Sequence, residues 1–290
     1  TVSPTFADGL GMDMQWADDV HHGVHAWITG ERAGYYGDFG SAEVLAAVLQ
    51  GVFLHTGTHS TFRGRVWGAP VDPASTQYDA HSFVTFLQNH DQVGNRAAGD
   101  RIHAGLEAGQ QAAAIALILL GPGTPMLFQG EEWAASTPFT YFTDHEGELG
   151  ELVSAGRARE FAAMGWGQTV PDPQERATFE SSILRWEERE QGAHARMLAW
   201  YRALIVLRRE RSDLHDPDLR RTEVEVLAEE TVLLHRGELT VLAHRGPGEM
   251  VDGPRTDEVL AAFGELEHGP DGTLTLRGPG AVVLRPVTTA

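Results

Sequence analysis

A group of side chains suited to sugar chemistry follows one apolar run of the sequence. Residues 82–87, Ser-Phe-Val-Thr-Phe-Leu, are mostly β-branched or aromatic and predict a short buried strand. His90 and Asp91 come soon after it, followed by Gln92 and Asn95, whose amides both donate to and accept from hydroxyl groups. Carboxylates stabilise the oxocarbenium-like state through which glycosidic bonds break. The segment therefore predicts a sugar site around Asp91, or else a loop whose polar side chains only satisfy its own backbone.

A second polar group opens a predicted helix at residues 18–29. Its first turns carry four candidate ligands for sugar hydroxyls, Asp18, Asp19, His21 and His22. The alternative is helix capping, because the helix dipole favours an acidic side chain at the N-terminus. His21 and His25 stand four residues apart, a spacing found in metal sites, but no third ligand follows at a fitting distance. We therefore predict a surface or packing role for this pair, and no metal or cofactor.

A third polar stretch, Gln-Gly-Glu-Glu-Trp at residues 129–133, follows an apolar run at 125–128 that predicts another buried strand. For Glu131 we favour a buried network that fixes the loop over a contact with substrate. Several aromatic residues nearby are candidates for stacking on pyranose rings, although such residues belong more often to a core. These are Trp133, Phe139, Tyr141 and Phe142.

These polar stretches lie where strands of a parallel sheet would end. Apolar periodicity and stop signals predict four helices, at residues 18–29, 41–50, 101–120 and 194–210. Strand, polar loop, helix and strand then alternate, as in the βα units of a (β/α)₈ barrel, whose active sites lie at the C-terminal ends of the strands. A whole barrel takes about 250 residues and eight such units, whereas only two strands can be placed here, so we expect the C-terminal part of a barrel.

From Ser212 onward the apolar period changes to two, which predicts a small antiparallel all-β domain. The predicted fold class is thus α/β, with barrel residues 1–211 followed by the β domain at 212–290. We expect the β domain to be a structural lid, because nothing specific in its sequence indicates starch binding. Residues 1–11 are rich in Pro, Gly, Thr and Asp and predict a loop.

Composition excludes several kinds of partner and chemistry. The chain has 22 basic and 41 acidic residues and a net charge of −19. Binding to nucleic acid or to an anionic membrane requires a basic face, so neither is expected. The chain contains no cysteine, which excludes disulfides, thiolate metal sites and cysteine nucleophiles. Together with the lack of a signal-like start, this composition favours the cytoplasm.

The stretch Gln-Asn-His-Asp-Gln-Val-Gly-Asn-Arg at 88–96 resembles the last signature region of the α-amylase superfamily, and within it the maltooligosyltrehalose trehalohydrolase family. Six further blocks in the same order share the resemblance, which covers most of residues 1–210. They are Trp-Ala-Asp-Asp-Val-His-His at 16–22, Thr-Gly-Glu-Arg-Ala-Gly-Tyr-Tyr at 29–36, Gly-Thr-Pro-Met-Leu-Phe-Gln-Gly-Glu-Glu-Trp at 123–133, Pro-Phe-Thr-Tyr-Phe-Thr-Asp-His-Glu at 138–146, Gly-Arg-Ala-Arg-Glu-Phe at 156–161 and Val-Pro-Asp-Pro-Gln-Glu at 170–175.

The resemblance implies roles for individual residues. Asp91 matches the third family carboxylate, which grips ring hydroxyls and stabilises the transition state, and His90 matches a histidine that binds the same sugar. We expect the rest of that signature to contribute to the same site: Gln92, Val93, Gly94 and Asn95. The family's nucleophilic Asp and general-acid Glu belong to motifs upstream of Thr1 that this sequence does not contain. Glu31, Glu131 and Glu132 match other family positions and do not replace them.

The resemblance therefore implies part of a retaining glycoside hydrolase. The whole enzyme would cleave the α-1,4-glucosidic bond next to the trehalose end of maltooligosyl trehalose and release trehalose. Retaining hydrolysis needs a nucleophile and an acid about 5–5.5 Å apart, so we expect this chain alone to be nearly inactive. Its expected partners are an α-glucan substrate and the N-terminal half of the barrel.

Two other functions are compatible with the sequence. One is a non-catalytic glucan-binding or regulatory relative of the same fold, which lacks the nucleophile by nature. The other, less favoured, is a histidine-based metallohydrolase. An upstream in-frame half that carries the missing Asp and Glu would favour the hydrolase over the first alternative, and metal analysis of purified protein would test the second.

Overall fold

The computed structural model describes residues 12–163, 170–248 and 250–287, so the loop predicted at 1–11 lies outside it. The helices are α1 (Asp18–Thr29), α2 (Ala42–Gly51), α3 (His90–Gly94), α4 (Ala108–Leu120), α5 (Glu148–Ala163), α6 (Arg176–Ser181) and α7 (Gly192–Glu210). The strands are β1 (Gln15–Trp16), β2 (Thr58–Ser60), β3 (Arg65–Trp67), β4 (Phe83–Phe86), β5 (Thr124–Met126), β6 (Thr222–Ala228), β7 (Thr231–Arg236), β8 (Leu239–His244), β9 (Met250–Gly253), β10 (Thr256–His268) and β11 (Leu274–Pro286).

The chain forms two compact units that do not follow sequence order. The first unit contains Thr1–Leu87, Leu106–Met126 and Ala199–Ala290, and the second contains Gln88–Gly105 and Leu127–Leu198. The second unit thus consists of the segment that follows β4 together with the chain from the end of β5 into α7. The domain boundary placed between residues 211 and 212 stays a prediction.

A three-stranded parallel sheet in the first unit has the order β1-β4-β5. Trp16 pairs with Val84, and Phe86 pairs with Met126, both in parallel register. Helix α1 follows β1, and α4 lies between β4 and β5 along the chain. This is the predicted strand, helix and strand order of βα units. Strand β1 was not predicted, because it has only two residues and these are too few to form an apolar run.

Local signals account for several helix ends. Helix α1 ends at Gly30, whose φ of 76° is left-handed, and the Ser41 hydroxyl caps α2 by accepting from the Val44 amide at 3.2 Å. The prediction for α4 was wrong at its start, since the helix begins at Ala108 and not at residue 101. Gly105 has a φ of 83°, which is incompatible with a right-handed helix, and Glu107 then forms a capping box with Gln110.

The antiparallel sheet has the order β10-β11-β8-β7-β6, with β9 also paired to β11. Alternate side chains form an apolar cluster on the sheet, made of Leu233, Leu242, Leu274, Leu276, Val282 and Leu284. Helix α4 approaches β11 so closely that a Cβ on Gly109 would stand 1.8 Å from the Pro279 carbonyl oxygen. The all-β arrangement predicted from the period-two pattern is therefore present from Thr222 onward.

A partly buried cation closes the turn between α4 and β5. Arg208 on α7 donates to the carbonyl oxygens of Leu119, Gly121 and Gly123, each at 2.7 Å. Leu119 lies in the last turn of α4, where a helix leaves its carbonyl acceptors unpaired, and Gly121 and Gly123 follow the helix. Burial lowers the pKa of Arg208 to about 10, yet the guanidinium stays charged at neutral pH.

We predict that Arg208→Met destabilises the chain by about 3 kcal/mol, since hydrogen bonds to a charged donor are lost and the buried carbonyls are left unsatisfied. Methionine keeps most of the apolar stem, so packing changes little. Urea unfolding followed by circular dichroism measures the effect. Arg209→Met is the matched control, because Arg209 is exposed on the same helix. Equal midpoints for the two variants would show that Arg208 does not stabilise this turn.

Candidate active site

The segment predicted as a polar loop after β4 is a short helix, α3, held by its first residue. The Asn89 side-chain oxygen accepts hydrogen bonds from the amides of Asp91 (2.8 Å) and Gln92 (3.4 Å). The Gln92 side-chain oxygen accepts from the Asn89 amide at 3.2 Å, which completes a capping box. Asn89 itself is buried, so the cap is fixed from within the protein. The cap therefore holds the backbone on either side of Asp91.

Asp91 and His90 point away from the packed interior. Their side chains are 62% and 59% exposed, and His90 Nε2 lies 3.5 Å from Asp91 Oδ1. Asn95 is also exposed, whereas Val93 and Gly94 are buried beneath them. Direct contact with a sugar is thus open to His90, Asp91 and Asn95. The burial of Val93 and Gly94 favours support of the helix over the substrate contact predicted for them.

Two further arginines tie the loops of the second unit together. Arg157 donates to the Gly94 carbonyl at 2.5 Å and to the Asn95 side-chain oxygen at 3.3 Å. Arg101 donates to the carbonyls of Gln129 (2.8 Å) and Thr137 (2.7 Å). Burial lowers the pKa of both guanidinium groups. The loop after β5 is thereby fastened to residues 88–105.

Glu131 lies inside this second unit, as predicted from sequence. It is fully buried, and its Oε2 accepts from the Phe128 amide at 3.3 Å. Trp133 is also buried and packs against Trp186 with ring centroids 5.2 Å apart. Of the aromatic residues considered for sugar stacking in this region, Tyr141 is exposed. The core interpretation of Trp133 and Glu131 is therefore confirmed.

A groove of about 550 Å³ opens in the first unit. This volume is within the range of small-molecule sites. Its polar lining includes the predicted residues Asp18, Asp19 and His22, together with Gln15, His55 and Arg63. Its aromatic lining is Trp16, Phe53, Trp67, Tyr78 and Phe83. Hydroxyl-binding groups beside flat apolar rings are the surface that a pyranose, with its polar rim and apolar faces, requires.

Asp19 and His22 are held firmly in the groove wall. Asp19 Oδ2 accepts from the Leu54 amide at 2.9 Å, while Oδ1 lies 3.8 Å from His22 Nδ1. The His22 ring packs among Tyr35, Tyr36 and Phe39, with centroid distances between 5.0 and 5.4 Å. Each side chain keeps some exposure, 21% for Asp19 and 16% for His22. Both can therefore reach a ligand without leaving their present positions.

His21 has no such access. It is fully buried; Nδ1 lies 2.7 Å from the Leu87 carbonyl oxygen and Nε2 lies 3.1 Å from the Tyr36 hydroxyl. Because a carbonyl only accepts, Nδ1 carries the proton and Nε2 accepts from the tyrosine. His25, also buried, bonds Glu31 at 2.9 Å and stacks on Tyr36. The packing role predicted for the pair fits these positions, and the direct substrate contact predicted for His21 does not.

Sequence reasoning missed the aromatic side of the groove. Trp67 lies on β3 in a hairpin, where the Arg63 guanidinium stacks 4.0 Å from the centre of its ring. In the sequence, Trp67 is an isolated Trp in a Gly- and Pro-rich stretch, which cannot be told apart from an ordinary loop. Within the described residues, no three His, Asp or Glu side chains converge as a metal site, and no helix is long and apolar enough to cross a membrane.

Comparison with known proteins gives consistent relatives. A malto-oligosyltrehalose trehalohydrolase from Arthrobacter ramosus is 49% identical over 281 residues, which cover 96% of this chain and 48% of the relative. One from Brevibacterium helvolum is 49% identical over 225 residues, covering 77% of this chain and 38% of the relative. The chain belongs to the maltooligosyltrehalose trehalohydrolase family. It spans about half the length of the curated trehalohydrolases it matches. A comparison with protein-family models gives no match.

The structural comparison gives a relative with the α-amylase fold. A candidate α-amylase from Salmonella typhimurium superposes with a TM-score of 0.79 and 33% identity, covering 93% of this chain and 46% of that structure. The predicted fold class, part of an α-amylase (β/α)₈ barrel followed by an antiparallel β region, is confirmed.

We predict that stability falls as the pH drops from 7 to 5, in part through His21. Burial, then the nearby His25 and His22, lowers the pKa of His21 well below its usual 6.5. Below pH 6.5, His21 becomes protonated in the unfolded chain but stays neutral in the folded chain. This contribution to stability is therefore present above pH 6.5 and is lost as the pH falls below it. A full proton corresponds to about 1.4 kcal/mol per pH unit.

Urea unfolding at several pH values measures this slope. His21→Asn keeps a neutral donor and should make the curve shallower, although the variant is less stable throughout. His59→Asn, at an exposed histidine on β2, is the matched control for replacing a histidine by asparagine. Identical slopes for wild type and His21→Asn would contradict the assignment.

Proposed function

We propose that this chain is part of a retaining glycoside hydrolase that releases trehalose from maltooligosyl trehalose. Asp91 is the transition-state stabiliser, and His90 and Asn95 bind the same sugar unit. The observation that carries the proposal is an exposed Asp91 on a capped helix after a parallel strand, in a chain 49% identical to a malto-oligosyltrehalose trehalohydrolase. Active sites of (β/α)₈ barrels lie at this end of the strands.

The chemistry requires two more carboxyl groups than Asp91 supplies. A retaining enzyme uses a nucleophile and a general acid on opposite sides of the scissile bond. We propose that the remainder of the whole protein carries both, in the N-terminal part of the barrel. The chain alone is then nearly inactive, because Asp91 neither attacks the anomeric carbon nor protonates the leaving oxygen.

Two structural features support the proposal that another part of the protein completes the barrel. Among the described residues, β1 and β5 are the edges of the parallel sheet, and a barrel tolerates no open edge. The amide nitrogens Nε2 of Gln88 and Nδ2 of Asn89 are buried without a partner within the described part of the chain. A buried unpaired amide costs about 1–3 kcal/mol, so an acceptor from the rest of the protein at these two donors would be stabilising.

We predict that the isolated chain releases no measurable trehalose from maltooligosyl trehalose and becomes active with the complementing half. That half is the part of the Arthrobacter ramosus relative not covered by this chain, co-expressed with it. In the complemented enzyme, Asp91→Asn should lower kcat on the order of 10³-fold, since the amide removes the charge that stabilises the cationic transition state.

Asp252→Asn is the matched control, because Asp252 lies in β9 and its oxygen can still accept from Thr275 after the exchange. Trehalose release is measured enzymatically. Full turnover by the isolated chain, or full turnover by the complemented Asp91→Asn enzyme, would refute the proposal. Oligosaccharide binding without turnover by a correctly assembled complex would favour the glucan-binding alternative.

The groove of the first unit is proposed as a surface for the glucan chain. We predict that Trp67→Ala weakens maltotetraose binding to the isolated chain about tenfold, the loss expected for one stacking aromatic ring. Isothermal titration calorimetry measures this. Trp186→Ala is the control, because Trp186 is 54% exposed and does not line the groove. Equal affinities for both variants would exclude the groove as the binding surface.

A further inference from the structure

One buried cation in the second unit has no part in the chemistry just proposed. Arg157 lies on α5, where its side chain is only 8% exposed. One guanidinium nitrogen donates to the Gly94 carbonyl at 2.5 Å, and the other donates to the Asn95 side-chain oxygen at 3.3 Å. Both acceptors are at the C-terminal end of α3, the helix whose first turn carries Asp91.

The surroundings of Arg157 hold its guanidinium in this orientation. Its Cζ lies 5.0 Å from the centre of the Tyr141 ring, and Nη1 lies 3.6 Å from a Glu160 carboxylate oxygen. A planar fork of donors is able to meet two acceptors at fixed angles, which a lysine ammonium cannot do as rigidly. The cation also faces the negative end of the helix, where a positive charge is favourable.

Helix α3 depends on such external support. It has five residues, and isolated helices shorter than about 12 residues are marginal in water. Its N-terminal end is fixed by the Asn89 cap, and its internal bonds include the Asn95 amide to the Asp91 carbonyl at 3.0 Å. Arg157 fixes the opposite end. The orientation of Asp91 is therefore set by a cap in front and a cation behind.

We propose that Arg157 is a positioning residue, which locks α3 and thereby holds the Asp91 carboxylate in the orientation that transition-state stabilisation requires. The structural half of the proposal, that Arg157 locks α3, rests on the hydrogen bonds from Arg157 to Gly94 and Asn95. Its consequence for turnover rests on the proposed function of Asp91.

Hydrogen exchange on the 290-residue chain tests the structural half. In Arg157→Met, millisecond-resolved exchange of a peptide spanning residues 89–96 should be at least about tenfold faster, the effect of losing hydrogen bonds from a charged donor. Arg157→Lys, which meets one acceptor at a time, should fall between this variant and wild type. Arg159→Met, at an exposed arginine on the same helix, should match wild type. Peptides from β11 report whether each variant is folded.

Unchanged exchange at 89–96 in folded Arg157→Met would overturn the proposal. Should that variant fail to fold, Arg157→Lys decides in its place, because wild-type exchange there would show that the two-acceptor fork is not needed.

Kinetics in the complemented enzyme test the consequence for turnover. Misplacing a group that acts in the transition state lowers kcat more than it alters KM, so Arg157→Met should lose about 10- to 100-fold in kcat with KM within about threefold. Arg157→Lys should recover part of the loss. Wild-type kcat in Arg157→Met would refute the positioning role. If the complemented wild-type chain shows no turnover, the proposed function fails, while the exchange experiment still decides what Arg157 does to α3.

Discussion

The hydrogen bonds of the Asn89 side chain are the interaction on which the candidate site depends. Asn89 is buried, and its oxygen holds the amides of Asp91 and Gln92, so the chain turns into a helix immediately after the strand that precedes it. Without this cap, a five-residue helix that carries two exposed polar side chains would be unstable. The cap thus gives this polar segment a helical conformation. Asp91 lies in the first turn of that helix, and most of its side chain is exposed to solvent.

Arginines that donate to main-chain carbonyls are the second recurring feature of the chain. The sequence contains no lysine, and several of its arginines donate hydrogen bonds to main-chain carbonyls, among them Arg101, Arg157 and Arg208. Arg208 closes the turn before β5, Arg101 ties together the loops of the second unit, and Arg157 supports α3. A guanidinium offers five donors in one plane, which suits clusters of carbonyls that no helix or sheet can pair.

Much of the fold was predictable from sequence because its signals are local. The apolar period identified α1, α2 and α7 and the antiparallel sheet, and the distinctive blocks around Asp91 indicated the family. The missed features depend on distant contacts. Strand β1 is too short to show a pattern, the far end of α3 contacts Arg157, and the burial of His21 follows from partners at Leu87 and Tyr36. Likewise, Trp67 lines the groove through a hairpin whose residues have loop-like sequence. The residue types at these points are visible in the sequence, whereas their exposure follows only from the tertiary structure.

The central claim is that Asp91 belongs to a sugar-cleaving centre completed by another part of the protein. The most direct measurement is a crystal structure of the chain assembled with its complementing half and an unreactive maltooligosyl trehalose analogue. The account predicts that an Asp91 carboxylate oxygen lies about 2.6–3.2 Å from ring hydroxyls of the sugar unit at the scissile bond, with two further carboxyl groups around that bond. A sugar bound elsewhere, with Asp91 facing solvent and no carboxyl group beside the bond, would contradict it.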